Sequence, residues 1–311
     1  MFNHGVESPL IERRLKMPKK VVLSEDDYCE MFKALSQDSF KGDNFLGAMR
    51  IAKDAALRHQ GYQHYMSLSN LKKMISSHSM WLSRLDSRGL DDWNESGKYG
   101  TSAGWKRSYI GCFSYGRSES AAMWKMYCHP NRNAVRLFVS NKGIVAWNEL
   151  LKRTDKMSVF PIKMNGDKSE IGKRKVSVKH AGFFDVLYVG RTDDDAGCIR
   201  WNGCSAVIEE LKDFTKCKGI EGFFKDMPWQ YEQETRLFVV LQNEQCNAER
   251  LSIDIPKEVF DSMSIVLSPW LPENEVEKKR VMISKWFNDA GYQVPRIIRA
   301  SQLSGALGAW H

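Results

Sequence analysis

The chain has 311 residues, 42% hydrophobic and 27% charged, a balance that belongs to globular proteins and excludes a disordered or collagen-like chain. Its longest apolar runs, such as 237–241, fall far short of the roughly 18 residues of a membrane span, and its start lacks the apolar block of a secretory signal, so a soluble protein of the cytoplasm is expected. The net charge of +8 is uneven: residues 61–189 carry twenty-one basic against ten acidic side chains, and residues 190–311 carry fifteen against nineteen.

The first twenty residues are polar and expected to be loosely held. Ser24, with Asp27 three residues later, opens a predicted helix through Leu35, and a second helix is expected over 44–58. Residues 1–57 thus read as an N-terminal helical segment ahead of a larger unit over 58–311. From Gly61 the pattern changes to a strand over 61–66, a helix over 68–77 and a strand over 80–83. Residues 86–104, rich in Gly, Asp, Asn and Ser, read as a long loop. A strand over 106–114 follows, then a helix capped by Ser118 that carries Trp124 and Tyr127 on one face. Further strands are predicted at 135–139 and 176–189, a helix at 205–216, strands at 232–241, 251–255 and 264–267, and a last helix at 273–290. Helices and strands mix without βαβ alternation or repeats, which predicts an α+β fold: a mixed sheet with flanking helices and an N-terminal helical extension.

Most of the positive surplus lies in residues 98–179, where seventeen Lys and Arg meet five acids and are interleaved with ten aromatics, among them Trp105, Tyr109, Phe113, Trp124 and Tyr127. Cations hold phosphates while flat rings stack on bases at ~1–3 kcal/mol each, so this stretch suits single-stranded nucleic acid. A solvated basic face with its aromatics turned inward explains it equally well. Seven scattered cysteines form no Cys-x-x-Cys pair, which points to reduced, buried thiols and to no zinc site. Phosphate-binding glycine loops, a Gly-x-Ser-x-Gly elbow and a His-Glu-x-x-His helix are all lacking.

The segment that stands out is Pro228-Trp229-Gln230-Tyr231-Glu232-Gln233-Glu234-Thr235-Arg236-Leu237, leading into an apolar run. On a strand, Glu232, Glu234 and Arg236 would share a face. Paired carboxylates there suit an oxocarbenium-like sugar cation, one stabilising the charge and the other orienting a nucleophile. A surface ladder of salt bridges with Arg236 is the plainer alternative.

Taken together, several segments resemble a widespread, poorly characterised bacterial domain family. They are the unit from His64 to Arg84, the loop Asp91-Asp92-Trp93-Asn94-Glu95, Cys112-Phe113-Ser114, Trp124-Lys125-Met126-Tyr127, Trp229 through Arg236, and the tail Arg299-Ala300-Ser301-Gln302-Leu303. The likeness spans about residues 60–305. More distantly, the same elements resemble the DarT-like ADP-ribosyltransferases. His64 to Leu71 keeps the spacing of that family's NAD-gripping His/Arg-x-Thr-x-x-x-Asn-Leu motif, with Met66 at the Thr position. Phe113 to Met123, through Arg117-Ser118, matches the next motif with expanded spacing, and Glu234 opens a late strand as the family's catalytic Glu does.

This resemblance implies an ADP-ribosyltransferase-like catalytic domain over 58–311 that takes NAD as co-substrate. His64, Ser67 and Asn70 would hold NAD, with Ser114 beside them, and Trp124 and Tyr127 would wall the nicotinamide pocket by stacking. Arg117 would contact the pyrophosphate or orient the acceptor. Glu234 would stabilise the ribosyl cation and Glu232 would position the acceptor. The basic, aromatic middle makes nucleic acid the expected acceptor, RNA before DNA. A toxin of a toxin–antitoxin or phage-defence module, with an antitoxin partner, is the implied setting. Two alternatives stand beside it. One is a Mg²⁺-dependent nuclease using Asp91, Asp92, Glu232 and Glu234, and the other a non-catalytic nucleic-acid-binding module.

Overall fold

The computed structural model describes residues 43–85, 107–165, 168–190, 194, 196–201, 204–207, 222–242, 246 and 248–307. The predicted helix at 24–35, the loop at 86–104 with Asp91 and Asp92, and most of the predicted helix at 205–216 lie outside them.

In chain order the first elements are α1 (Asp43–Ala56), β1 (Gly61–Ser67), α2 (Leu68–Ser77), β2 (Ser79–Arg84), β3 (Ser108–Tyr115), α3 (Ala121–Cys128), β4 (Ala134–Ser140) and α4 (Asn141–Leu151). Next come β5 (Val159–Asn165), β6 (Lys168–Ile171), β7 (Val178–Asp185), β8 (Leu187–Val189), β9 (Cys198–Trp201), β10 (Cys204–Val207) and β11 (Phe224–Asp226). A 3-10 segment (Met227–Glu232) leads into β12 (Glu234–Leu241), β13 (Arg250–Asp254), α5 (Lys257–Asp261), β14 (Met263–Leu267), α6 (Glu273–Asp289) and β15 (Ile298–Arg299). The fold is α+β, as the irregular alternation predicts. Among the described residues no helix is long and apolar enough to cross a membrane.

Strand β3 is the pivot of the main sheet. One of its edges pairs along its whole length with β12, which in turn pairs with β7. The other edge is divided. Ser114 and Tyr115 pair with Gln63 and Tyr62 of β1, while Tyr109 and Ile110 pair with Arg84 and Ser83 of β2. The sheet therefore forks, one arm running β1–β4–β14–β15 and the other β2–β13–β5–β6. Helix α2 bridges the fork because its sequence starts and stops it there. The Ser67 hydroxyl accepts from the Asn70 N–H at 3.2 Å, Leu68, Leu71, Met74 and Ile75 form the buried stripe, and His78 closes it in a left-handed conformation. A second, smaller sheet has the order β10–β9–β8–β11, with β11 parallel to β8.

The core lies on the β3/β12 face formed by Phe113, Leu237 and Val239. Phe113, Trp147 and Phe183 meet there edge to face at 5.6–6.2 Å.

Four sequence expectations are corrected. The expected single strand at 176–189 is two, β7 and β8, because the chain changes sheets at Asp185. That carboxylate accepts from His59 at 2.8 Å, Thr235 at 2.7 Å and Trp201 at 3.3 Å, a demand that apolar periodicity does not encode. The predicted helix at 205–216 begins instead as strand β10, with Cys204 paired to Trp201. The intervening Asn-Gly is a hairpin signal that outweighs helical periodicity. The cap of α3 is Ser120, whose hydroxyl accepts from the Met123 N–H at 3.3 Å, and not Ser118, whose carbonyl is taken by the Gln63 side chain. Glu232, expected on a strand, belongs to the 3-10 segment. Helices α4 and α5 and the short strands β5, β6, β9, β11 and β15 were not anticipated, since several are too short to show a period.

Candidate active site

The pairing of β1, β3 and β12 sets Gln63, Ser114 and Glu234 in one row across three strands. Pleating puts Cys112 and Arg236 in the next row of the same face. Glu234 is the first residue of β12, and its N–H donates to the Tyr188 hydroxyl at 2.8 Å. Glu232 reaches the same place by another route. Between them Gln233 adopts φ 46° and ψ 57°, and this left-handed residue turns the chain so that both carboxylates converge on the Lys225 ammonium, at 2.5 Å from Glu232 and 3.4 Å from Glu234. The expected ladder 232–234–236 is thus corrected: only Glu234 and Arg236 share the pleat, and a turn supplies Glu232.

Arg236 grips Glu234 bidentately, Nε donating to Oε1 at 2.8 Å and Nη2 to Oε2 at 3.0 Å. Its Nη1 donates to the carbonyl of Gly222 at 2.7 Å, where φ +85° favours glycine. Glu232 accepts from Lys225 and, on its other oxygen, from the Tyr127 hydroxyl at 2.5 Å. All four charged residues are at most 5% exposed. Among the described residues two acids and two bases balance in charge, as suits a place where an unpaired ion costs several kcal/mol.

The two carboxyls are held apart in acidity. Burial pushes Glu234 up, but Arg236 and then Lys225 outweigh it and hold its pKa at about 2. Burial also pushes Glu232 up. Lys225 opposes that only in part, the Glu234 charge adds to it, and the group stays above the ordinary carboxylate range. Neighbouring acids separated in this way can divide stabilising and proton-accepting roles. Burial and the same two carboxylates raise the Tyr127 phenol, so it stays a neutral donor. Burial lowers His64, whose ring sits 2.8 Å from the Cys112 carbonyl through Nδ1. As the neutral imidazole it donates there and keeps Nε2 as an acceptor.

Two cavities adjoin this cluster. A cleft of about 400 Å³ opens in the fork of the sheet, lined by His64, Ser67, Asn70, Lys73, Trp81 and Arg250 among others. A recess of about 70 Å³ is lined by Gln63, Cys112, Ser114, Glu232 and Glu234. His64, Tyr65 and Tyr127 line both. Seven of the nine residues singled out in the sequence therefore come together: His64, Ser67, Asn70, Ser114, Tyr127, Glu232 and Glu234.

Two do not. Trp124 lines neither cavity. It is fully buried, edge-on to Tyr65 and Trp270, with its indole N–H donating to Glu119 at 3.2 Å. Three residues along one helix put Trp124 in the core and Tyr127 at the rim. Arg117 is exposed in the turn after β3, where its carbonyl accepts from both Nη atoms of Arg136 at 3.3 Å. Sequence reasoning missed Lys225, Lys73 and Arg250. Lys225 follows Phe223-Phe224 with no spacing signal, and Lys73 and Arg250 line one cleft only because β13 pairs with β2.

Among the described residues no three His, Cys, Asp or Glu side chains gather as metal ligands. Glu232 and Glu234 already have Lys225 and Arg236 where a nuclease would need a cation.

No family model and no curated protein matches this chain. Among solved structures it is similar to the DarT of Thermus sp. 2.9 in complex with NAD+, at 10% identity and a TM-score of 0.31, over 77% of this chain and 94% of that one. It is similar also to the same protein in complex with carba-NAD+, at 10% identity and a TM-score of 0.30, over 78% and 95%. A likeness at that level transfers neither activity nor residue roles, which must stand on the geometry of this site.

Proposed function

We propose that this protein is an NAD-dependent ADP-ribosyltransferase whose acceptor is single-stranded nucleic acid, RNA before DNA. We place it in a toxin–antitoxin or phage-defence module, with an antitoxin as its protein partner. The observation that carries the reading is a strand-opening carboxylate, Glu234, locked ionised by Arg236 in the wall of a recess that shares His64, Tyr65 and Tyr127 with a larger cleft. The cleft's volume of about 400 Å³ lies in the ~300–1,000 Å³ range of small-molecule sites. Its hydroxyls, amide and two cations suit a dinucleotide, with Lys73 and Arg250 facing the pyrophosphate in place of Arg117.

When bound, NAD supplies an electrophilic ribose carbon whose bond to nicotinamide breaks with the electron pair leaving on nitrogen. Glu234 holds a ribose hydroxyl and offsets the positive charge that develops. Glu232, the more basic of the two, takes the proton of the incoming acceptor. Tyr127 orients Glu232 and closes the recess. The basic, aromatic sequence of the middle third supports a nucleic-acid acceptor.

The test is transfer from radiolabelled NAD into separate RNA, DNA and protein pools, with wild type and Glu234→Gln side by side under EDTA. The reading expects label in the RNA pool, lost at least 100-fold in the variant and indifferent to EDTA. Mg²⁺-dependent fragmentation of nucleic acid without label would replace it with the nuclease. Binding unchanged in Glu234→Gln, with no label anywhere, would leave a binding module.

A further inference from the structure

We infer that Lys225 is a positioning residue that sets the pH at which Glu232 exchanges its proton, and so couples the small sheet to the chemistry of the large one. Three observations meet here. Lys225 is the central residue of β11 and therefore belongs to the four-stranded sheet, while Glu232 and Glu234 border the main one. Its side chain is 6% exposed, and among the described residues it is the one cation that touches both carboxylates, Arg236 lying on Glu234 and on the Gly222 carbonyl. It also lies 4.7 Å from the centre of the Trp229 ring, whose face favours the charged form.

Among the described residues, the titratable groups that face Glu232 are Lys225 from β11, Tyr127 from α3, Tyr188 from β8 and Glu234 from β12. Glu234 repels and Tyr127, a neutral donor, helps to hold the ionised form, but Lys225 is the largest influence that draws the proton off Glu232. Without that ammonium the cluster would hold two acids and one base, and Glu232 would keep its proton to higher pH. A protonated Glu232 cannot take a proton from an acceptor. Small-sheet displacements that lengthen the 2.5 Å contact would therefore switch the site off while Arg236 still grips Glu234.

The catalytic consequence rests on the transferase reading, whereas the titration of Glu232 does not. The experiment compares wild type, Lys225→Met and Lys225→Arg in two ways: the pH profile of NAD turnover, and infrared titration of the carboxylic-acid C=O band that disappears in Glu232→Gln. The expected result is an acidic limb moved up by at least one pH unit in Lys225→Met and by much less in Lys225→Arg, with the infrared band moving in parallel. A limb and band that stay in place would overturn the inference. If Lys225→Met does not fold, the charge-balanced Lys225→Met/Glu234→Gln against Glu234→Gln alone reads the same infrared shift and decides equally. If wild type turns over no NAD, the transferase reading fails while the infrared titration still judges Lys225.

Discussion

At the scale of single residues, the site is a charge-balance problem solved by four buried side chains. Glu234 is held at about pKa 2, below its unfolded value of roughly 4.3, so its contribution to stability is complete above the unfolded value and fades as pH falls toward 2. Glu232 has the opposite sign. Its raised pKa means the folded state holds that proton more tightly than the unfolded chain, so stability declines as pH rises through the shifted range. Thermal unfolding of wild type and Glu234→Gln from pH 7 to pH 2 should converge at the acid end. A gap that stays constant would deny Glu234 its depressed pKa. Tyr127→Phe removes a donor from a buried carboxylate and should cost about 1–3 kcal/mol, measured by denaturant unfolding. The two aromatic residues of α3 should also part company. Trp124→Phe is expected to lower stability and leave NAD affinity within about twofold, because it lines no cavity, while Tyr127→Ala should weaken NAD binding measured by calorimetry.

At the scale of elements, position is set by caps and turns more than by propensity. Helix α3 is fastened at its start by Ser120 and by Glu119, which accepts from the Ser301 hydroxyl, the Gln302 N–H and the Trp124 indole. Those bonds hold Glu119 ionised below its ordinary pKa, although burial opposes them. Arg299 adds an ion pair at 3.1 Å. The tail at 299–303 is thereby tied to the helix that carries Tyr127. Glu119→Ala should therefore lower the melting temperature by several degrees, about 1–3 kcal/mol, and reduce turnover through a misplaced Tyr127. Unchanged turnover in a destabilised variant would uncouple the tail from the site. Gln233 is the other element-scale device. A left-handed non-glycine residue stores roughly 1 kcal/mol, so Gln233→Gly should fold at least as stably by denaturant titration, provided the turn and not the side chain matters.

At the scale of the whole molecule, Asp185 is the joint. It ends β7, receives His59, Thr235 and Trp201, and releases the chain into the second sheet, which brings Lys225 back to the carboxylates. Asp185→Ala leaves three donors without their acceptor and should cost on the order of 3–5 kcal/mol, read as a fall in the denaturant midpoint. A loss under 1 kcal/mol would mean the sheets are held elsewhere.

What the sequence determined by itself was local. Ser67 before an apolar 3.6-residue stripe dictated α2, short apolar and aromatic runs marked β1, β4 and β14, and the motif from Trp229 to Arg236 marked both carboxylates, because these signals lie within a few residues of one another. What it could not hold was any contact whose partners are far apart in the chain. The fork of β1 and β2 along one edge of β3, the cleft that Lys73 and Arg250 share, and the arrival of Lys225 from another sheet exist only once the strands pair. The inward turn of Trp124 was likewise decided by what packs on α3, Tyr65 and Trp270, and not by its spacing from Tyr127. Local pattern carries periodicity and caps, whereas burial and charge pairing are properties of the assembled neighbourhood, and it is these that fix which side chains can do chemistry.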